Sequence, residues 1–188
     1  MVRIVRTEAL KAGRYVSLTL ATLAADDGSV HQREVVSFGH SACVLPYDPY
    51  RKVALVVRLT RATLLLAGDE TRLIEVPAGM IDEGEAPDIA ARREALEETG
   101  LVLGALEPVA TCWTSPGVVA ERSHLFLAPY GEGDRQGPGG GLAEEHEDIL
   151  AEEMPLARLW ALADSGGLQD MKTLALVLAL RTRRPELF

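Results

Sequence analysis

The chain has 188 residues, of which 47% are hydrophobic, 25% charged and 5% aromatic, with a mean hydropathy of +0.07; this balance excludes a disordered or fibrous polymer and suits one ordinary core beside a short extension. Twenty-eight acidic against nineteen basic residues leave a net charge of −9, which repels a phosphate polymer and argues against a nucleic-acid partner, so a small anionic substrate would need a cation to mediate. No stretch approaches the roughly 20 apolar residues that cross a bilayer, and the opening "MVRIVRTEAL" lacks a secretory pattern, so a cytoplasmic address without membrane contact is expected.

The first half reads as strands. Residues 15–23 ("YVSLTLATL") and 30–38 ("VHQREVVSF") flank the turn "DDGS" and form a hairpin by β-branched content and turn chemistry. Residues 41–47 and 52–60 flank "DPYR", and their nearly continuous apolar character marks strands buried on both faces. Cys43 and Cys112 lie in apolar stretches far apart, without metal-site spacing, and read as small hydrophobic fillers in a reducing compartment. Further on, 109–115 and 123–130 are strand-like and are joined by the loop-prone "PGVVAER". The run 131–141 ("GEGDRQGPGGG") reads as a surface loop too rich in glycine to pack, and no Gly-Lys-Ser/Thr closes it as a phosphate loop. Two helices are expected at the C-terminus, 155–163 and 169–182, the second with Leu174, Val177 and Leu178 on its apolar face. A mixed sheet covered by helices, α+β in class, packs these elements.

The chemistry concentrates in "PAGMIDEGEAPDIAARREALEETGL", residues 77–101. Pro87 suits a first helical turn and Gly100 a position just past the last, so a helix spans 87–99. At 100° per residue Ala91, Ala95 and Leu96 face a core, while Glu94 and Glu98 stack on one stripe with Glu97 beside them and Arg93 one turn before Glu97. Like charges so spaced repel, and taken alone they suit a solvated face. Upstream, Gly79 permits a backbone excursion that presents the Ala78 carbonyl toward the helix. Backbone oxygen and carboxylates without His or Cys form a hard donor set, suited to Mg²⁺ or to Mn²⁺ in its place, and a divalent ion turns their repulsion into a binding site.

The string Gly79-x5-Glu85-x7-Arg93-Glu94-x-x-Glu97-Glu98-x-Gly100-Leu101 fixes eight positions over 23 residues and resembles the signature of the Nudix hydrolases, with Ala95 where a larger aliphatic residue is usual. The resemblance implies the Nudix fold: an α/β/α sandwich around a mixed central sheet, here over residues 39–188, preceded by an N-terminal antiparallel strand segment, 1–38, that serves as a dimerisation arm. It implies metal-dependent hydrolysis of a nucleoside diphosphate joined to another group. Glu94, Glu98 and Glu97 would hold the metal with the Ala78 carbonyl, and Gly79, Glu85 and Arg93 would support the loop. Water would attack a phosphorus of the diphosphate.

The flanks "QREVVSFGHSACVLPYDP", "TSPGVVAERS" and 141–148 resemble the ADP-ribose pyrophosphatase branch of that family. By this likeness Glu147, with Glu145 as competitor, orients the water or binds a further metal. Arg33 reaches the nucleotide held by the other subunit of a homodimer. Met80, Ser115, Gly117 and Glu121 touch substrate, as do Arg61 or Arg58 at its phosphates, with Glu34, Tyr15 and Trp113 as weaker candidates. The "GGG" at 139–141 and "DMKT" at 170–173 also resemble the GDP-mannose pyrophosphatase branch. The expected activity is hydrolysis of nucleoside diphosphate sugars, ADP-ribose first and GDP-mannose second; a silent nucleotide-binding module and an enzyme of caps or oxidised nucleotides are the alternatives.

Overall fold

The computed structural model describes residues 1–13, 15–142 and 148–188. They fall into two units, one of Met1–His40 with Thr111–Ser123 and one of Ser41–Ala110 with His124–Phe188.

The smaller unit rests on backbone pairing. Strands β1 (Val2–Ala12), β2 (Ser17–Ala25) and β3 (Val30–Ser37) form an antiparallel sheet in that order. The hairpin expected from "DDGS" is present: Gly28, at φ +84°, donates its N–H to the Ala25 carbonyl at 3.0 Å, and the Ser29 N–H bonds Asp27 Oδ1 at 2.9 Å. Strand β1 escaped the sequence reading because charges interrupt its alternation, and it exposes Val2, Ile4, Val5 and Leu10. Among the described residues of these three strands only Ala21 is buried. The loop after residue 113 joins the end of β3 through Val36 N–H to Val118 O and Ala120 N–H to Val36 O, both 2.8 Å.

The larger unit follows from strands whose two faces are both apolar. Its elements are β4 (Ser41–Asp48), β5 (Val53–Thr60), α1 (Ala62–Leu66), β6 (Arg72–Glu75), β7 (Ala78–Met80), α2 (Pro87–Thr99), β8 (Glu107–Trp113) as far as residue 110, β9 (Arg122–Pro129) from residue 124, β10 (Leu150–Pro155), α3 (Leu156–Asp164) and α4 (Met171–Arg183). The sheet runs β10-β5-β4-β9-β8, with β6 beside β5 and β7 beside β4. Because side chains alternate along a strand, Cys43, Leu45 and Tyr47 of β4 enter one core with Val56, Leu127 and the helical Leu159, Leu176 and Leu180. Ala42 and Val44 enter another with Leu55, Phe126 and the helical Ala90, Ala91 and Ala95. Helices α3 and α4 thus cover one face and α2 the other, which is the expected three-layer sandwich.

Four expectations are corrected. Leu96 is exposed and Ala90 takes its inward place, because the sheet admits only small side chains where α2 lies closest. Leu178 is exposed and Leu176 and Leu180 are buried in its stead. Cys43 is a core filler, whereas Cys112 is exposed. The glycine run packs after all: Gln136 N–H bonds Gly100 O at 2.8 Å, and Gly140 N–H bonds Glu98 O at 2.9 Å. Absent side chains let two backbones meet directly.

Candidate active site

Helix α2 starts where Pro87 fixes φ in its first turn and stops where Gly100 enters the left-handed region at φ 73°. Its buried alanines set the rotation, and that rotation carries Glu94, Glu97 and Glu98 toward the loop formed by β7 and the residues after it. Glu98 is 4% exposed and accepts the Ala78 N–H at 3.1 Å. The bond from Ala78 to this carboxylate therefore comes from its amide. Strand β7 is itself fixed by antiparallel pairing of Ala78, Gly79 and Met80 with Cys43, Ala42 and Ser41.

Arg93 ties helix to loop. Its Nη1 donates to Glu94 Oε1 at 2.7 Å and to Glu97 Oε2 at 3.2 Å, while Nε and Nη2 grip the two oxygens of Glu85 at 3.0 Å each and Nη2 also bonds the Met80 carbonyl at 2.9 Å. Glu85 closes the loop by accepting the Asp82 N–H at 3.0 Å. Hydrogen bonds from Arg93 hold the Glu85 carboxyl below its ordinary range, and Glu85 in turn pushes the guanidinium pKa up. The need for glycine at 79 is steric, since a Cβ there would collide with the Glu94 carboxylate. Moving that carboxylate aside would loosen its bond to Arg93.

A divalent cation suits this donor set. Three carboxylates, Glu85, Glu94 and Glu97, share one guanidinium, and Glu98 beside them accepts a neutral amide, so the cluster stays anionic, and all its acidic donors are hard oxygens. Among the described residues no three acidic, His or Cys side chains converge as they stand on one ion.

A second charged cluster joins Arg61, between β5 and α1, to β6 and the start of α4. Arg61 grips the buried Glu75 through Nε at 2.8 Å and Nη2 at 2.9 Å. Lys172 reaches Glu75 at 3.4 Å and Asp170 at 2.6 Å. Burial alone would lower the Lys172 pKa, but Asp170 and Glu75 outweigh it and raise it. Asp170 caps α4 at the Thr173 N–H, 2.9 Å, and Thr173 Oγ1 receives the Val76 N–H at 2.8 Å. The sequence did not point to Glu75, and "DMKT" at 170–173 carried a likeness to one branch without a role for Asp170 or Thr173; an Asp three residues before a Thr at a helix start was the available signal for the cap. Arg58 instead pairs with Glu152 at 2.8 Å across to β10.

Arg33, Trp113, Ser115, Gly117 and Glu121 belong to the smaller unit. Arg33 is exposed on β3 with Nη1 bonded to the Gln32 carbonyl at 2.8 Å. Glu121 accepts Thr114 Oγ1–H at 2.7 Å. The Ser115 carbonyl receives the Val118 and Val119 N–H groups at 3.0 and 2.8 Å, a turn that contains Gly117. Arg122 lies 4.5 Å from the Trp113 ring centre, so that ring carries a cation on one face. Glu145 and Glu147 fall outside the described residues.

A helix bearing three clustered glutamates, pinned by one arginine to a glycine loop within an α/β/α sandwich, is the frame of a class of hydrolases. The NUDIX domain family model matches residues 39–175, and the chain belongs to that family, the Nudix hydrolases. It is 39% identical over 160 residues to a GDP-mannose pyrophosphatase of Cronobacter sakazakii, covering 84% of this chain and 82% of that one. A GDP-mannose pyrophosphatase of Escherichia coli O139:H28 is 36% identical over 159 residues, 83% and 82% of the two chains. Among solved structures, one described as an ADP compounds hydrolase superposes with a TM-score of 0.78 over 98% of this chain and 95% of its own, at 18% identity, a likeness of fold.

Proposed function

We propose that the protein is a nucleoside diphosphate-sugar pyrophosphatase that converts GDP-mannose to GMP and mannose 1-phosphate, with ADP-ribose as the competing substrate. The observation that carries the reading is the Glu94–Glu97–Glu98 turn pinned by Arg93 against Gly79, in a chain whose relatives are named for GDP-mannose. Those relatives move GDP-mannose ahead of the ADP-ribose expected from the flanks.

Glu94, Glu98 and Glu97, with Ala78, would hold Mg²⁺, Mn²⁺ serving in its place. When bound, the ion neutralises charge on the diphosphate oxygens and acidifies a coordinated water. The chain's own residues do the rest. Arg93 and Glu85 keep the loop closed, and Gly79 leaves room for the Glu94 carboxylate. Arg61, with Arg58 as the alternative, binds phosphate oxygens. Met80, Ser115, Gly117 and Glu121 contact nucleotide or sugar. Glu147 takes the proton of the attacking water, Glu145 being the alternative. One P–O bond to the bridging oxygen breaks, the water oxygen joins the attacked phosphorus, and a proton is released.

Residues 1–38 form the dimerisation arm of a cytoplasmic homodimer, in which Arg33 reaches the nucleotide of the other copy. The exposed Val2, Ile4 and Val5 of β1 support that reading by offering apolar surface to a second chain. Among the described residues no helix is long and apolar enough to cross a membrane.

The test is product analysis by ion-exchange chromatography after incubation with GDP-mannose, ADP-ribose and a cap analogue. Equimolar GMP and mannose 1-phosphate formed fastest supports the reading; turnover of none of them, or preference for the cap, overturns it.

A further inference from the structure

The glycine run that the sequence marked as a loose loop is bonded to the end of the glutamate helix. Gly140 N–H reaches the Glu98 carbonyl at 2.9 Å and Gly141 N–H the Glu97 carbonyl at 3.1 Å. Gln136 N–H bonds Gly100 O at 2.8 Å, and Val102 N–H bonds Asp134 O at 2.9 Å on the other side of the same crossing. The last carbonyls of a helix have no partner within it. Here two of them belong to the very glutamates whose side chains face the loop of β7.

The contact exists only because the crossing residues lack Cβ atoms. A Cβ on Gly139 would collide with the Glu98 carbonyl and Thr99 Cα, and one on Gly100 would collide with Gly137 O. Gly139, Gly140 and Gly141 hold φ of 70°, 112° and 78°, a region that side chains disfavour. Glu98 is thereby gripped twice, its carboxylate by the Ala78 N–H and its carbonyl by the strap. Glu97 is held likewise by Arg93 and by Gly141.

We infer that the strap 136–141 is a positioning element that fixes the backbone of the Glu97–Glu98 turn, so that these carboxylates are preorganised for a divalent cation. The inference rests on the reading of Glu94, Glu97 and Glu98 as cation ligands. A turn free to fray would have to be ordered at each binding event, and that cost appears as weaker binding.

The experiment is Mn²⁺ titration of substrate-free protein followed by electron paramagnetic resonance, well below the melting temperature, with amide hydrogen exchange at Gly140 in parallel. Gly139→Ala should bind Mn²⁺ at least fivefold more weakly and exchange the Gly140 amide faster, with the fold retained by circular dichroism. Gly133→Ala, outside the strap, is the control: a Cβ there meets nothing within 4 Å, and its affinity should match the wild type. If Gly139→Ala does not fold, Gly140→Ala replaces it, since its nearest neighbour is 3.8 Å away and only the φ of 112° is strained. Wild-type affinity in a folded Gly139→Ala or Gly140→Ala overturns the inference, and so does a loss of thermal stability with affinity unchanged. Failure of the wild type itself to bind Mn²⁺ would instead remove the cation reading on which the strap depends.

Discussion

The glutamate helix and the N-terminal sheet are both regular, hydrogen-bonded structure, yet they are held in opposite ways. Around α2 each carboxylate of the Nudix loop has a named donor, the buried face is fixed by three alanines, and the helix end is closed by the glycine strap. In β1–β3 the backbone ladder runs the length of the strands, broken only by irregularities between Ile4 and Arg6 and between Ala9 and Lys11, but among the described residues only Ala21 is buried. A ladder alone sets register without supplying the apolar burial that stabilises a sheet. The first region is specified by side chains from within, whereas the second leaves apolar side chains open, which under the proposed function a second copy of the chain would cover.

The largest effect should come from the most buried carboxylate. Glu98→Gln keeps an oxygen to accept the Ala78 N–H but loses the negative charge; turnover should fall about a hundredfold or more with the melting temperature nearly unchanged, in line with the loss of one preorganised electrostatic group. Near-normal turnover would place the ion elsewhere. Next is Arg93→Ala, which removes the bonds to Glu85, Glu94, Glu97 and Met80 together. Urea unfolding should show a loss of about 2 kcal/mol, and Arg93→Lys, with no fork to span loop and helix, should recover only part of it. Equal stability of wild type and Arg93→Ala would mean the loop is closed by other means.

The sheet should answer differently. Arg33→Ala should raise KM about tenfold with kcat and stability little changed, as expected for loss of a charged contact made to the bound nucleotide, and sedimentation should give a dimer. A monomer of full activity, or an unchanged KM, would remove β3 from the site.

The smallest effect is the acid dependence of the loop. Since Arg93 holds Glu85 below the ordinary carboxylate value of about 4.3, the pair's contribution is complete above that value and is lost only as pH falls through the lowered one. The stability difference between wild type and Glu85→Gln, measured by denaturant unfolding, should therefore be flat from neutral pH down to about pH 5 and shrink below about pH 4. A difference that already shrinks between neutrality and about pH 5 would contradict the assignment.

What was legible in the sequence was what short-range rules govern. Pro87 and Gly100 bounded α2 at the residues where it begins and ends, and the unbroken apolar runs gave β4 and β5 as doubly buried strands. Pairings that only the tertiary fold creates were not legible. Strands β6, β7 and β10 are short and owe their form to partners on β4 and β5. Leu96 read as inward because helical periodicity gives a face but not the depth available beneath it. The run 131–141 read as loose because glycine content signals freedom, whereas here it permits contact between backbones. Within the site, Arg93 to Glu97 was visible as an i,i+4 pair, while the fork to Glu85 needed the loop to fold back.

Under the proposed function the crowded carboxylates of α2 serve a divalent cation that makes the diphosphate reactive. That role is tested by initial rates of GDP-mannose hydrolysis as Mg²⁺ is titrated into chelator-stripped protein. A rate indistinguishable from background without the ion, rising to saturation with it, is the result the account predicts; hydrolysis that persists in excess chelator would contradict it.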